Sequence, residues 1–104
     1  MYAVVFVTVP NMKAARGIAK SLVQSKLAAC VNIIPVIESL YRWKGKLCED
    51  KELLLIIKTK KAVFGKLADK IRSIHPYEVP EIISLPITAG DKPYLRWLKQ
   101  SIIM

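Results

Sequence analysis

The chain is poor in the residues that carry most recognisable chemistry. It has two cysteines, four glycines and one histidine in 104 residues. Cys30 and Cys48 can pair once at most, which excludes a disulfide scaffold; read as reduced thiols, they point to a cytoplasmic protein. The glycines are scattered, so there is no glycine-rich phosphate loop. The longest aliphatic run, Leu53 to Ile57, falls far short of the roughly 18 residues of a membrane span, so no membrane partner is expected. Residues 1–9 are apolar but lack a basic leader and a small-residue cleavage site, and they read as a strand. Acidic residues are missing altogether before Glu38, while Lys13, Arg16, Lys20 and Lys26 are already present.

What is present is apolar and basic. The hydrophobic fraction is 53% and the formal net charge +9. Those numbers exclude intrinsic disorder. They also leave more apolar surface than one small core absorbs, so part of it is expected between subunits. The basic residues fall mainly at helical spacing, the pattern of two solvated helix faces.

The hydrophobic period divides residues 1–104 into one domain without linkers or repeats. Tyr2 to Val9 is a buried strand, closed by Pro10 and by Asn11 as a helix N-cap. Ala15, Ile18, Ala19, Leu22 and Val23 form the inner stripe of a helix running to about Lys26. Ala28 to Trp43 and Leu47 to Lys58 form a hairpin turning at Lys44–Gly45–Lys46, with Pro35 marking an edge, a bulge or a bend. Its arms are about twice the usual five or six residues, so its tip, with Tyr41 and Trp43, should overhang the domain and be covered by a neighbouring subunit. Thr59 is read as the cap of a second helix with Phe64, Leu67, Ala68 and Ile71 inward. Val79 to Thr88 is a fourth strand, and Asp91 caps a last helix with Pro93 in its first turn. The order is βαββαβ with a terminal helix: an α+β, ferredoxin-like sandwich with one sheet face left bare.

That fold hosts many functions, so the residues must choose among them. RNA-binding domains of this topology stack bases on aromatics of the central strands, and the third strand, Glu52 to Lys58, has none; nucleic acid is therefore not the expected partner. The first strand–helix loop carries no thiol, which removes a Cys-x-x-Cys metal chaperone. The remaining cluster is His75-Pro-Tyr77-Glu-Val-Pro-Glu81. One histidine with scattered cysteines and carboxylates permits weak divalent-metal binding but encodes no closed site.

Five strings fall in a recognisable order: residues 26–35 (KLAACVNIIP), 39–46 (SLYRWKGK), 57–59 (IKT), 75–83 (HPYEVPEII) and Gly90-Asp91 through Tyr94-Leu95-Arg96-Trp97-Leu98. Together they resemble the CutA divalent-cation tolerance family over nearly the whole chain. The resemblance implies a PII-like homotrimer of ferredoxin-like subunits, with divalent metal ions, copper foremost, as partners and no established catalysis. Its signature side chains fall on Cys30, Tyr41, Trp43, Glu52, Lys58, His75, Tyr77, Glu81, Tyr94 and Trp97, and several are expected to line a cleft between subunits. Where some bacterial members carry a first-strand cysteine and a second histidine, this chain has Val7 and Ile74, leaving His75 as the metal-binding candidate and Cu²⁺ or another divalent metal as a weak ligand. Two further readings stay open: an enzyme of unknown reaction at the subunit interface, favoured if Lys58 stands beside Glu52, and a basic module for an acidic partner.

Overall fold

A computed structural model describes residues 1–103. β1 (Tyr2–Val9), α1 (Met12–Gln24), β2 (Cys30–Trp43), β3 (Lys46–Lys60), α2 (Phe64–Ile74), β4 (Ile82–Ile87) and α3 (Lys92–Gln100) follow in that order. The sheet order is β2-β3-β1-β4, with every neighbouring pair antiparallel. This is the ferredoxin-like arrangement, with β3 and β1 at the centre.

Alternation along the central strands separates the two sheet faces. Val5, Val7 and Val9 of β1 and Leu53, Leu55 and Ile57 of β3 are buried with Ile18 and Leu22 of α1 and Leu67 and Ile71 of α2, forming the core. The intervening residues point the other way. Paired in register, Ile34 with Leu54, Ile56 with Phe6, Phe6 with Ile83, and Val4 with Leu85 make an apolar surface that no helix covers. Ile34, Ile83 and Leu85 are exposed on it.

The caps agree with the sequence at both ends where a side chain was assigned: Asn11 Oδ1 accepts from the Ala14 N–H at 2.8 Å, and Asp91 Oδ2 from the Tyr94 N–H at 3.4 Å. α1 ends at Gln24, short of Lys26. There the Leu27 N–H bonds the Leu22 carbonyl and the Lys26 N–H the Val23 carbonyl, with Lys26 at φ 61°, a Schellman closure with lysine where glycine is usual. Val23 lies exposed rather than in the inner stripe, and Phe64 is only partly buried.

Thr59 caps nothing. It is a buried residue of β3 whose hydroxyl donates to the Leu27 carbonyl at 2.7 Å, because β3 runs two residues beyond the expected Lys58. A 3₁₀ turn at Lys61–Val63 then leads into α2, which begins without a side-chain cap. β4 is shorter than expected, confined between Pro80 and Thr88.

The hairpin arms span 14 and 15 residues and close in a two-residue loop, Lys44 (φ 51°) and Gly45 (φ 80°), the paired positive angles of a type I′ turn. Pro35 is resolved as a bulge on an edge strand: Ile34 pairs with Leu54 but Ile37 with Glu52, so β2 carries one extra residue. That residue shifts the side-chain phase of everything beyond it. Before the bulge, even-numbered residues of β2 share the bare face; after it the odd-numbered ones do, which places Ser39, Tyr41 and Trp43 on the same side as Glu52.

Candidate functional site

Beyond the bulge the hairpin leans over the segment that joins α2 to β4, and a groove of about 760 Å³ lies between them. Thr8, Glu38, Ser39, Leu40, Tyr41 and Trp43 line it from the strands, with Glu52 at its base and Pro76 to Val79 and Glu81 opposite.

His75 fixes the loop wall. The Tyr77 backbone N–H can only donate, so Nδ1 of His75 accepts it, at 3.0 Å, and Nε2–H is left to donate to the Thr8 carbonyl at 2.8 Å. The imidazole is 9% exposed and both nitrogens have protein partners. It staples the loop to the end of β1 and lies against the Tyr77 ring, centroids 4.8 Å apart. A metal at His75 must displace one of these bonds. Among the described residues no group of three or more histidine, cysteine, aspartate or glutamate side chains converges as a metal cage. The donors present in one chain therefore do not fit a high-affinity copper site.

Tyr77 in turn donates its hydroxyl to Glu52 Oε2 at 2.6 Å. Glu52 is only 7% exposed, so this bond replaces water that the carboxylate has lost. Burial first, then the hydrogen bond to Glu52, pushes the Tyr77 hydroxyl well above its ordinary 10.0. Tyr41, on the exposed part of the hairpin, is pushed up to about 12, chiefly by donating to Asp50.

A raised phenol pKa means that the folded chain holds this proton more tightly than the unfolded one. The stabilisation is complete below pH 10 and is lost as pH rises past it toward the folded value. Tyr77→Phe should therefore flatten the alkaline limb of the stability–pH curve, measured by urea unfolding at a series of pH values. Identical limbs for the two proteins would exclude this role.

The groove's charge is opposite to that of the chain. Glu38, Glu52, Glu78 and Glu81 line it, Glu49 and Asp50 stand nearby on β3, and no lysine or arginine lines it although the chain has 17. Six of the eight acidic residues thus gather in one region. Thr8, Glu38 and Ser39 carry no site signal in the sequence beyond the late, clustered appearance of acids.

The expected site residues fall into two groups. Tyr41, Trp43, Glu52, Tyr77 and Glu81 meet at the groove, with His75 behind them. Lys58, Tyr94 and Trp97 lie elsewhere. Lys58 binds the side chain of Asn32, across from Cys30, and Tyr94, raised by burial and then by the Cys30 thiol, stands beside Trp97 with ring centroids 5.4 Å apart. Lys58 and Glu52 are on one strand face but six residues apart, roughly 20 Å along an extended chain, so they do not pair within one chain.

Residues 3–101 match the profile of the CutA1 divalent ion tolerance proteins. The chain belongs to that family. The divalent-cation tolerance protein CutA of Thermus thermophilus is 52% identical over 97% of this chain and 98% of its own length. Human protein CutA is 54% identical over 91% of this chain, which spans only 53% of the human protein. The solved Thermus thermophilus CutA1 structure superposes with a TM-score of 0.96 at 51% identity, covering 98% and 99% of the two chains. CutA1 from Oryza sativa gives 0.95 at 50% identity, covering 98% and 94%. The CutA names describe cation tolerance and no reaction. Two CutA relatives are named chloroplastic and one solved CutA structure periplasmic, so the cytoplasm is not common to the family. No helix among the described residues is long and apolar enough to cross a membrane.

Proposed function

We propose that this CutA1-family chain acts as a non-enzymatic homotrimeric binding protein whose ligand site is the Tyr41–Glu52–Tyr77 groove. The observation that carries the reading is the groove itself: four glutamates, three aromatic side chains and no cation, in a chain of net charge +9. The apolar sheet face beside it supports the trimer, since a surface of that kind is stable in water only when covered.

Divalent cations bind there weakly, through carboxylate oxygens. His75, the metal ligand expected from sequence, serves instead to hold the groove wall, because both its nitrogens are already engaged. Imidazole favours copper while carboxylates favour harder ions, so copper gains little here. Isothermal titration with Cu²⁺ should give a small heat that saturates only at large excess, survives in His75→Ala and disappears in Glu78→Gln/Glu81→Gln. Loss of the heat in His75→Ala, with circular dichroism unchanged, would return the metal to His75 and overturn the assignment to the carboxylates.

A further inference from the structure

We propose that the outer face of the α1–α2 layer is a docking surface for the sugar–phosphate backbone of double-stranded nucleic acid, gripped without regard to base sequence. The chain's charge is concentrated there. Residues 12–26 and 61–74 contain eight lysines and arginines against a single acid, Asp69, which leaves +7 of the total +9 on this one layer. All eight are exposed. Asp69 is held by Arg72 on the same helix, so it offers no counter-charge to the rest.

The arrangement is regular. Lys13, Arg16 and Lys20 follow one another at three- and four-residue intervals along α1, one per turn, about 5.4 Å apart. Lys66 and Lys70 repeat the interval on α2, and side-by-side helices of this kind stand about 8–10 Å apart. Duplex DNA presents about one phosphate charge per 1.7 Å of axis, so a face with several cations on two neighbouring rows spans many phosphates.

The rest of the face decides what kind of polyanion fits. Protein interfaces draw their energy from buried aromatic and apolar anchors, and lysine is depleted in them. Among the described residues the large apolar side chains exposed in these segments are Val23 and Ile74, near the C-terminal ends of the two helices, and no aromatic is exposed. A basic face alone holds an anionic membrane only reversibly, and stable attachment takes a second, apolar signal. Phosphate contacts need only cations, because they position without reading bases. The expectation against nucleic acid rested on the sheet, where β3 has no stacking aromatic; the helical layer requires none. It also lies opposite the bare apolar sheet face, so covering that face leaves the cations in solvent.

The test is fluorescence anisotropy of a labelled DNA duplex against the full chain over a salt series. For about five phosphate contacts, log K should fall linearly with log salt with a slope of about −4 to −5. Lys13→Gln/Lys20→Gln/Lys66→Gln/Lys70→Gln should flatten the slope by about 1 for each lysine removed. Lys44→Gln/Lys46→Gln/Lys92→Gln/Lys99→Gln, with the same loss of charge on the hairpin tip and α3, should leave it nearly unchanged. Equal losses in both quadruple variants would show that net charge and not this face is responsible, and overturn the proposal. Absence of binding at low salt, or displacement of the duplex by polyglutamate at matched charge, would do the same, the latter in favour of an acidic protein partner.

Discussion

Ile83→Asp is expected to leave the chain monomeric. Ile83 sits on edge strand β4, paired with Phe6, at the outer end of the apolar row that runs through Phe6 to Ile56. In the single chain it is 49% exposed, so a carboxylate there stays in water and the subunit keeps its fold. In an assembly that covers this face the same carboxylate is buried without a partner. That costs about 3–5 kcal/mol per site, and three such sites bring the penalty for a trimer to about 10 kcal/mol or more. Light scattering after size exclusion should report the mass of one chain, with circular dichroism unchanged. A variant that remains trimeric would show that subunits meet elsewhere, and the sheet face would need another explanation.

Leu55→Ala is expected to give the largest loss of subunit stability. Leu55 is fully buried on β3, flanked by Val7 of β1 and Ile33 of β2, beneath the helices. Strands held in ladders on both sides cannot close in on a hole, so the cost falls in the middle or upper part of the range for such truncations, about 3–4 kcal/mol. For a domain with a total of about 5–15 kcal/mol that is a large fraction. Urea unfolding at fixed protein concentration should show it as a lower midpoint with an unchanged slope. Leu85→Ala, on the exposed row, should change the stability of a dissociated subunit by less than about 1 kcal/mol. Similar losses for the two substitutions in the monomeric Ile83→Asp background would contradict the assignment of the core to the helical side.

The elements were legible because each carries a local physical signature. The alternation of β1, the helical stripe of α1 and the Asn11 and Asp91 caps depend on residues a few positions apart. Thr59 was misplaced for the same reason: threonine before a helical pattern is a good cap by local rules, but here its hydroxyl is engaged by the Leu27 carbonyl, 32 positions away. The end of α1 was misjudged because Lys26 occupies a position where glycine would have signalled the stop.

The candidate groove was legible by residue type and not by grouping. Tyr41, Trp43, Glu52, Tyr77 and Glu81 line one groove, while Lys58, Tyr94 and Trp97 stand apart from it within the same chain. Two non-local facts control this. One extra residue at Pro35 reverses the phase of β2, which alone puts Tyr41 and Trp43 on the side of Glu52. His75 then ties the loop to Thr8 so that Tyr77 reaches the same carboxylate.

By itself the sequence determined the strand and helix order, the surplus of apolar and basic residues, and the side chains available for a site, since these follow from composition and short-range period. Only the tertiary structure decided how charge is sorted, with the acids around one groove and +7 on one helical layer, and which sheet face remains bare. Sorting depends on register, and register is set by pairings between residues far apart in the chain, where one bulge exchanges one face for the other.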